Sequence, residues 1–306
     1  MVLHCCGLTV PDVRPTHSMC ITIVTLLLIS QASGDKPDKG SYDYGMVFAS
    51  SRSQGIDFWD LPGYTRSSYE ADHALITPES RVFASMSGWK QTLTAHVISR
   101  AKGANFAMYL ADMKTNSSAT APGAGIERLI FVLDGVVKLY HGTETTALHA
   151  DDYAYMPPDT PHSHYSLHAD QGAGVLIYER VYAIQKGKPQ VHIGSTSKQP
   201  TVDVAPEVFV LRKLLPQTAD YDFNIHIMDF RPGEYLYVKE IHYNQHGLLL
   251  LQGQGIYRLA NKWYPVQAGD AIWMAPYVIQ WYAALGNQNS RYILYKDTTL
   301  DPLIAT

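Results

Sequence analysis

The chain has 306 residues, 46% of them hydrophobic and 17% charged, so it can fill real cores and is not a disordered polymer. That length accommodates two domains of ordinary size. A net charge of −4 with no long basic run argues against a nucleic-acid binder and against a polybasic membrane-surface protein.

The three cysteines, Cys5, Cys6 and Cys20, lie within the first twenty residues. Residues 19–29 form an apolar core of signal-peptide length, too short to span a membrane comfortably. Arg14 and His17 precede it, and the small residues Ala32, Ser33 and Gly34 follow where a signal peptidase can cut. Residues 1–34 are therefore expected to be a signal peptide, with Met19 as an alternative start, and are set apart from the fold. The mature chain then carries no cysteine, so redox compartment cannot be read from thiols. A glycosylation sequon, Asn116-Ser117-Ser118, sits in a Ser/Thr/Ala/Gly-rich segment expected to be a loop, and it fits a secretory route.

Residues 35–79 are polar and glycine-bearing, an expected N-terminal arm with aromatics at Phe58–Tyr64. From about Leu93 short runs rich in Val, Ile, Leu, Tyr and Phe alternate with Gly, Pro, Asp and Asn. Examples are Leu129–Leu133, Val136–Tyr140 and Val175–Tyr178. Such spacing predicts an all-β sandwich or barrel. The pattern also occurs twice. When Gly135 is aligned with Gly253, the intervals to Asp152 and Asp270, to Pro158 and Pro276, and to His162 and Gln280 are the same in both copies. Two copies of one β-domain are expected, at 80–185 and 205–306, joined by a polar linker at 186–204.

The second copy carries the chemistry. Glu240 and His242 are two apart on an expected strand, which puts both side chains on one face about 7 Å apart. His246 follows, and Gln280 lies beyond Asp270 and Pro276. Two imidazoles, one carboxylate and one amide oxygen, with no thiolate, suit a hard-to-borderline octahedral ion, Mn²⁺ ahead of Fe²⁺ or Zn²⁺. A lone histidine on a strand is ordinarily a packed core residue; it is the register of all four with a known scaffold that makes them a ligand set. The first copy lacks the set: Arg128 stands where His246 does, beside Glu127, and only His162 matches Gln280.

This spacing resembles the two cupin motifs, with Glu240 at the first histidine position, His242 at the second, His246 where the glutamate belongs and Gln280 at the last histidine. The resemblance sharpens over Phe58–Tyr64, His73–Ser80, Tyr221–His226, Val238–Gly255 and Trp263–Asp270, which look like the ureidoglycine aminohydrolases of plant purine breakdown. It covers the chain from about Asp57 to Asp297. It implies two tandem cupin (double-stranded β-helix, jelly-roll) barrels with a metal site in the second. The implied reaction is Mn²⁺-dependent hydrolysis of (S)-ureidoglycine to (S)-ureidoglycolate and ammonia in the endoplasmic reticulum, by a homo-oligomer. The implied metal ligands are Glu240, His242, His246 and Gln280. The implied substrate contacts are Tyr257, Tyr292 and Lys296, with Glu240 and Gln280 beside the substrate and Glu240 and Lys296 as catalytic residues. A seed-storage bicupin, which loses its ligands, and an iron dioxygenase cupin, with three histidines, fit this ligand set less well.

Overall fold

The computed structural model describes residues 63–158, 165–184, 186–301 and 303. The expected signal peptide and the arm up to residue 62 lie outside them, as do His162 and His164. All described residues belong to one compact unit, Lys39–Thr306.

Among the described residues helix is confined to three 3₁₀ turns, at Pro78–Ser80, Arg100–Lys102 and Thr196–Lys198. The rest is strand and connection, as the alternating pattern requires. The arm contributes β1 (Ser68–Tyr69) and β2 (His73–Ile76). The first copy runs through β3 (Trp89–Ile98), β4 (Phe106–Thr120), β5 (Ile126–His141), β6 (Glu144–His149), β7 (Asp152–Met156), β8 (Tyr165–Ala169) and β9 (Ala173–Val181). The expected linker holds β10 (His192–Ser195) and β11 (Thr201–Val202). The second copy has β12 (Val210–Lys213), β13 (Phe223–Phe230), β14 (His246–Gln252), β15 (Gln254–Leu259), β16 (Lys262–Gln267), β17 (Ala271–Met274), β18 (Gln280–Leu285) and β19 (Ser290–Asp297).

The strands close into two barrels with exchanged edges. In the second, one sheet has the order β1-β2-β17-β14-β19-β13-β12-β11, and β16-β15-β18 form its other wall. In the first, β10 pairs with β7 at the edge of a sheet that includes β5, β8, β4 and β3. The arm strand β2 therefore covers the β17 edge of the second barrel, and β10 covers the equivalent β7 edge of the first. Covering these edges keeps β17 and β7 from offering an open ladder to another chain. Arg66 ties the arm down through a two-pronged bond to the buried carboxylate of Asp270, at 2.8 and 2.7 Å. The sequon residue Asn116 lies within β4 rather than in a loop. Its φ of 58° marks an irregularity there, and its side chain is exposed.

Strand alternation sorts the core into three clusters. One fills the first barrel and one the second. The third lies between the barrels and joins Phe106, Tyr155 and Tyr178 of the first to Phe223, Ile225, Ile293 and Tyr295 of the second. On β13, Phe223, Ile225 and Ile227 go to this seam, whereas Met228 and Phe230 enter the second barrel. Asn224 and His226 share that inward face, so a polar pair sits inside a strand buried along its whole length. The seam is tight. Phe106 stacks on Tyr295 with ring centroids 3.9 Å apart. A Cβ on Gly247 would lie 2.6 Å from the Phe106 ring and 2.9 Å from Ile98 Cδ1, so only glycine fits there.

A polar network crosses the same seam. Arg180 of the first barrel binds Asp297 at 2.6 Å and the Tyr295 hydroxyl at 2.8 Å, and its Nε lies 3.3 Å from Asp222. Tyr155 donates to Glu127 at 2.5 Å. Burial, and then the hydrogen-bonded Asp222 carboxylate, raise the Glu127 pKa well above its ordinary value.

Two tests follow from the seam. Gly247→Ala should destabilise the protein by about 1–3 kcal/mol through overpacking, read as a lower midpoint of thermal unfolding; an unchanged midpoint would contradict the contact. For Glu127 the folded state holds its proton more tightly than the unfolded chain does. Its stabilisation is therefore complete below the ordinary value of 4.5 and is lost as pH rises towards the raised one. Glu127→Gln, which keeps a hydrogen-bond donor, should show a shallower fall in unfolding midpoint than wild type between about pH 5 and 8. Identical slopes would mean that Glu127 is ionised in the fold.

Candidate metal centre

Four side chains meet at one end of the second barrel. His246 opens β14 and Gln280 opens β18, so both are set by regular ladders. Glu240 and His242 differ from the sequence expectation of a strand. They lie in the connection between β13 and β14, which pairs with β18 through isolated bridges at Tyr235–Ala283 and Glu240–Gln280 and not through a continuous ladder. The bridge at Glu240 is double, with 2.9 Å bonds in both directions to the Gln280 backbone. The His242 carbonyl accepts from Tyr277 N–H at 2.7 Å. These three bonds fix the connection against β18 and aim its carboxylate and imidazole inward.

The donor atoms converge. His242 Nε2 lies 3.2 Å from His246 Nε2, 3.0 Å from the Gln280 side-chain amide and 3.5 Å from Glu240 Oε2. The Gln280 amide is also 3.3 Å from Glu240 Oε2. Adjacent ligand atoms of an octahedral ion with bonds of about 2.1 Å stand about 3 Å apart, so the spacing fits one small divalent cation. Glu240, His242 and His246 are also the one His/Cys/Asp/Glu group of three or more found within metal-binding reach among the described residues. Turning the Gln280 amide end for end presents its oxygen to the cluster at no steric cost, since the two ends are nearly isosteric.

The tautomer of His246 is set from outside. Its Nδ1 lies 3.1 Å from the Tyr295 carbonyl, which can only accept, so Nδ1 carries the proton and Nε2 presents its lone pair. Burial, then the charge of Lys296, push the His246 pKa well down and keep the ring neutral, the form a metal requires. Burial alone would raise Glu240; the His242 hydrogen bond and the Lys296 charge outweigh it and hold the carboxyl below its ordinary value.

The other expected site residues surround this cluster. Lys296 on β19 stands opposite His246 in the ladder. Burial lowers its pKa, the Glu240 charge opposes that, and Lys213 adds to it. Tyr257 and Tyr292 lie deeper, each 1% exposed, in an aromatic group in which Tyr282 is 5.5 Å from both rings. Burial is the main cause that raises both phenol pKa values, and the Glu240 charge adds to it, so both remain O–H donors. Sequence reasoning gave no role to Lys213, Asn224 and His226. They line a pocket of about 190 Å³ that shares Lys296 with the cluster. The available signal was the pair of polar residues at alternate positions of the apolar run Phe223–Phe230.

The first barrel has no comparable cluster among its described residues. Arg128 faces Met156 and Glu179 in its ladders as His246 faces Met274 and Lys296. The equivalent interior is closed by Arg128 Nε and the Tyr109 hydroxyl, which donate to Glu179 at 2.6 and 2.9 Å.

These features define the class: a duplicated cupin whose second barrel holds a candidate metal centre. The cupin domain family matches the chain over residues 122–177. The chain is 49% identical to the (S)-ureidoglycine aminohydrolase of Arabidopsis thaliana, covering 92% of this chain and 98% of that one. It is 58% identical to the probable (S)-ureidoglycine aminohydrolase of Oryza sativa subsp. japonica, covering 80% and 79%. The crystal structure of protein Ylba from E. coli superimposes with a TM-score of 0.69 at 27% identity, over 80% of this chain and 99% of that one. The chain belongs to the (S)-ureidoglycine aminohydrolase family, hydrolases that act on carbon–nitrogen bonds.

His242 lies at the centre of the cluster, so its loss should matter most. His242→Ala should lower the divalent metal retained after dialysis at least about tenfold, read by elemental analysis. Wild-type retention in that variant would show that the ion, if bound, is held elsewhere.

Proposed function

We propose that this chain hydrolyses (S)-ureidoglycine to (S)-ureidoglycolate and ammonia, with Mn²⁺ held by Glu240, His242, His246 and Gln280. The reaction is supported by the family to which the chain belongs, and the ion by the convergence of one carboxylate, two imidazoles and one amide on a point. Mn²⁺ suits this thiolate-free set of oxygen and nitrogen donors. The convergence is the observation that carries the reading.

The net change breaks one C–N bond and forms one C–O bond at the same carbon. Water supplies the hydroxyl group and one proton to the departing amine, which leaves as ammonia. When bound, the ion would act as a Lewis acid and fix one face of the substrate for attack. The protein side chains divide the remaining work. Lys296 is a half-buried cation on the inward face of β19 and pairs with the substrate carboxylate. Tyr257 and Tyr292 are protonated phenols placed to donate to substrate oxygens. Glu240 is held ionised, so it can accept a proton from the attacking water and return it to the amine, although metal ligation lowers its basicity. These fixed donors orient a small, flexible substrate, the main source of rate and stereoselectivity in such a site. The expected signal segment supports a secretory-pathway setting in the endoplasmic reticulum, and no described helix is long and apolar enough to cross a membrane.

The test is to incubate purified protein with freshly made ureidoglycine, with and without Mn²⁺, and follow ammonia. Metal-dependent release above the spontaneous rate is expected. Lys296→Met should retain the metal but lose roughly tenfold or more in kcat/KM, the value of a charge-assisted contact. No enzymatic release with any divalent ion would refute the reading, and unchanged kinetics in the variant would remove Lys296 from the substrate.

A further inference from the structure

The two barrels place different chemistry at the same four interior positions. In the first, ladder pairings bring together His96 with Tyr109, and Arg128 with Glu179. The equivalent pairs in the second are Lys213 with His226, and His246 with Lys296. The first set is self-neutralising. Glu179 accepts from both Arg128 and Tyr109, and His96 stacks on Tyr109 with centroids 4.6 Å apart, so the interior is filled and its charge paired.

In the second barrel the carboxylate is gone and a cation replaces it. Lys296 forms no ion pair among the described residues, and the one bond of the Lys213 ammonium is to the neutral Gln217 carbonyl at 2.5 Å. Both line the 190 Å³ pocket with Asn224, His226, Thr298 and Thr299, and no acidic side chain lines it. His226 is 8% exposed, and its Nε2 is buried without a hydrogen-bond partner. Burial, then the charges of Lys296 and Lys213, push its pKa down to about 3. Two ammonium groups around an open space that no carboxylate lines leave a place for an acceptor-rich anion.

We propose that this pocket is the subsite that receives the substrate carboxylate, and that Lys213 is a specificity-determining residue selecting anionic α-substituted acids over neutral analogues. The carboxylate of the ligand takes the place that Glu179 fills in the first barrel. The identity of the acid rests on the reaction proposed above; the subsite itself rests on the charge pattern and the pocket.

The experiment uses Mn²⁺-loaded protein and two probes of nearly equal shape, glycolate and glycolamide, titrated calorimetrically into wild type, Lys213→Met, Lys213→Arg and His226→Gln. Both probes can reach the ion, but glycolate alone carries the negative charge. Lys213→Met should weaken glycolate roughly tenfold, as for loss of one charge-assisted bond, with glycolamide changed less than about twofold. Lys213→Arg should restore most of the loss. With ureidoglycine, Lys213→Met should raise KM by more than it lowers kcat, and added salt should reduce wild-type kcat/KM more than that of the variant. Equal weakening of both probes, or unchanged glycolate affinity in Lys213→Met, overturns the proposal. His226→Gln keeps a polar atom at the pocket wall; if it binds neither probe differently from wild type, His226 is removed from the subsite. A Lys213-dependent glycolate site in a protein that does not release ammonia from ureidoglycine would sustain the subsite and refute the reaction. Turnover that is indifferent to Lys213 would do the reverse.

Discussion

The close approach of the two barrels at Gly247 is the constraint on which the candidate site depends. Phe106 of the first barrel occupies the space that any side chain at 247 would need, and the same ring stacks on Tyr295. With Gly247 facing the seam, alternation turns His246 into the barrel. The Tyr295 carbonyl then accepts from the Nδ1–H of His246 and fixes its tautomer. One aromatic contact thus registers the strand, orients the candidate ligand His246 and couples the first barrel to the second. The first barrel has a structural reason to persist without ligands of its own: it is the surface against which β14 and β19 are set.

Among the described residues, only one of the two interiors carries the candidate ligand set, and the comparison of the barrels shows why. Both barrels retain the same ladder registers around the interior positions, so the difference lies in side chains alone. Arg128 and Glu179 convert the first interior into a buried ion pair, and a guanidinium with two hydrogen-bonded neighbours leaves no lone pair for a cation. Reversing those charges, with a neutral imidazole at 246 and an ammonium at 296, opens one place for a cation and another for an anion. The loop carrying Glu240 and His242 completes the first of these.

The duplication was legible in the sequence because it rests on residues that backbone geometry demands. Gly135 and Gly253 have φ of 75° and 77°, and a Cβ on either would strike a backbone carbonyl at 2.5 or 2.6 Å. Asp152 and Asp270 each accept a backbone N–H from three residues earlier at 2.9 Å, the same turn twice. The four converging side chains were legible through their spacing from these markers. Other features were hidden for physical reasons. The strands β2 and β10 pair with partners fixed by tertiary contact and not by local pattern. The Glu240–His242 spacing reads as a strand, yet the segment is held by isolated bridges and not by a ladder. Asn224 and His226 become noticeable only once β13 is known to be covered on both sides, because a polar residue on a half-exposed strand is ordinary.

The charge balance of the second interior gives the proposed chemistry its direction. A divalent ion held there by one carboxylate and three neutral donors would keep a net positive charge, and Lys296, which Lys213 also influences, adds to it. In a site shielded from water such an excess is costly unless a ligand relieves it. A neutral urea would relieve little of it. An α-amino acid derivative with an ionised carboxylate relieves part of it on binding, and the departure of neutral ammonia leaves the anionic product still matched to the same cations. Release of the product is therefore the step this arrangement disfavours. The half-exposed position of Lys213, where solvent screening weakens its attraction, limits how tightly that product is retained.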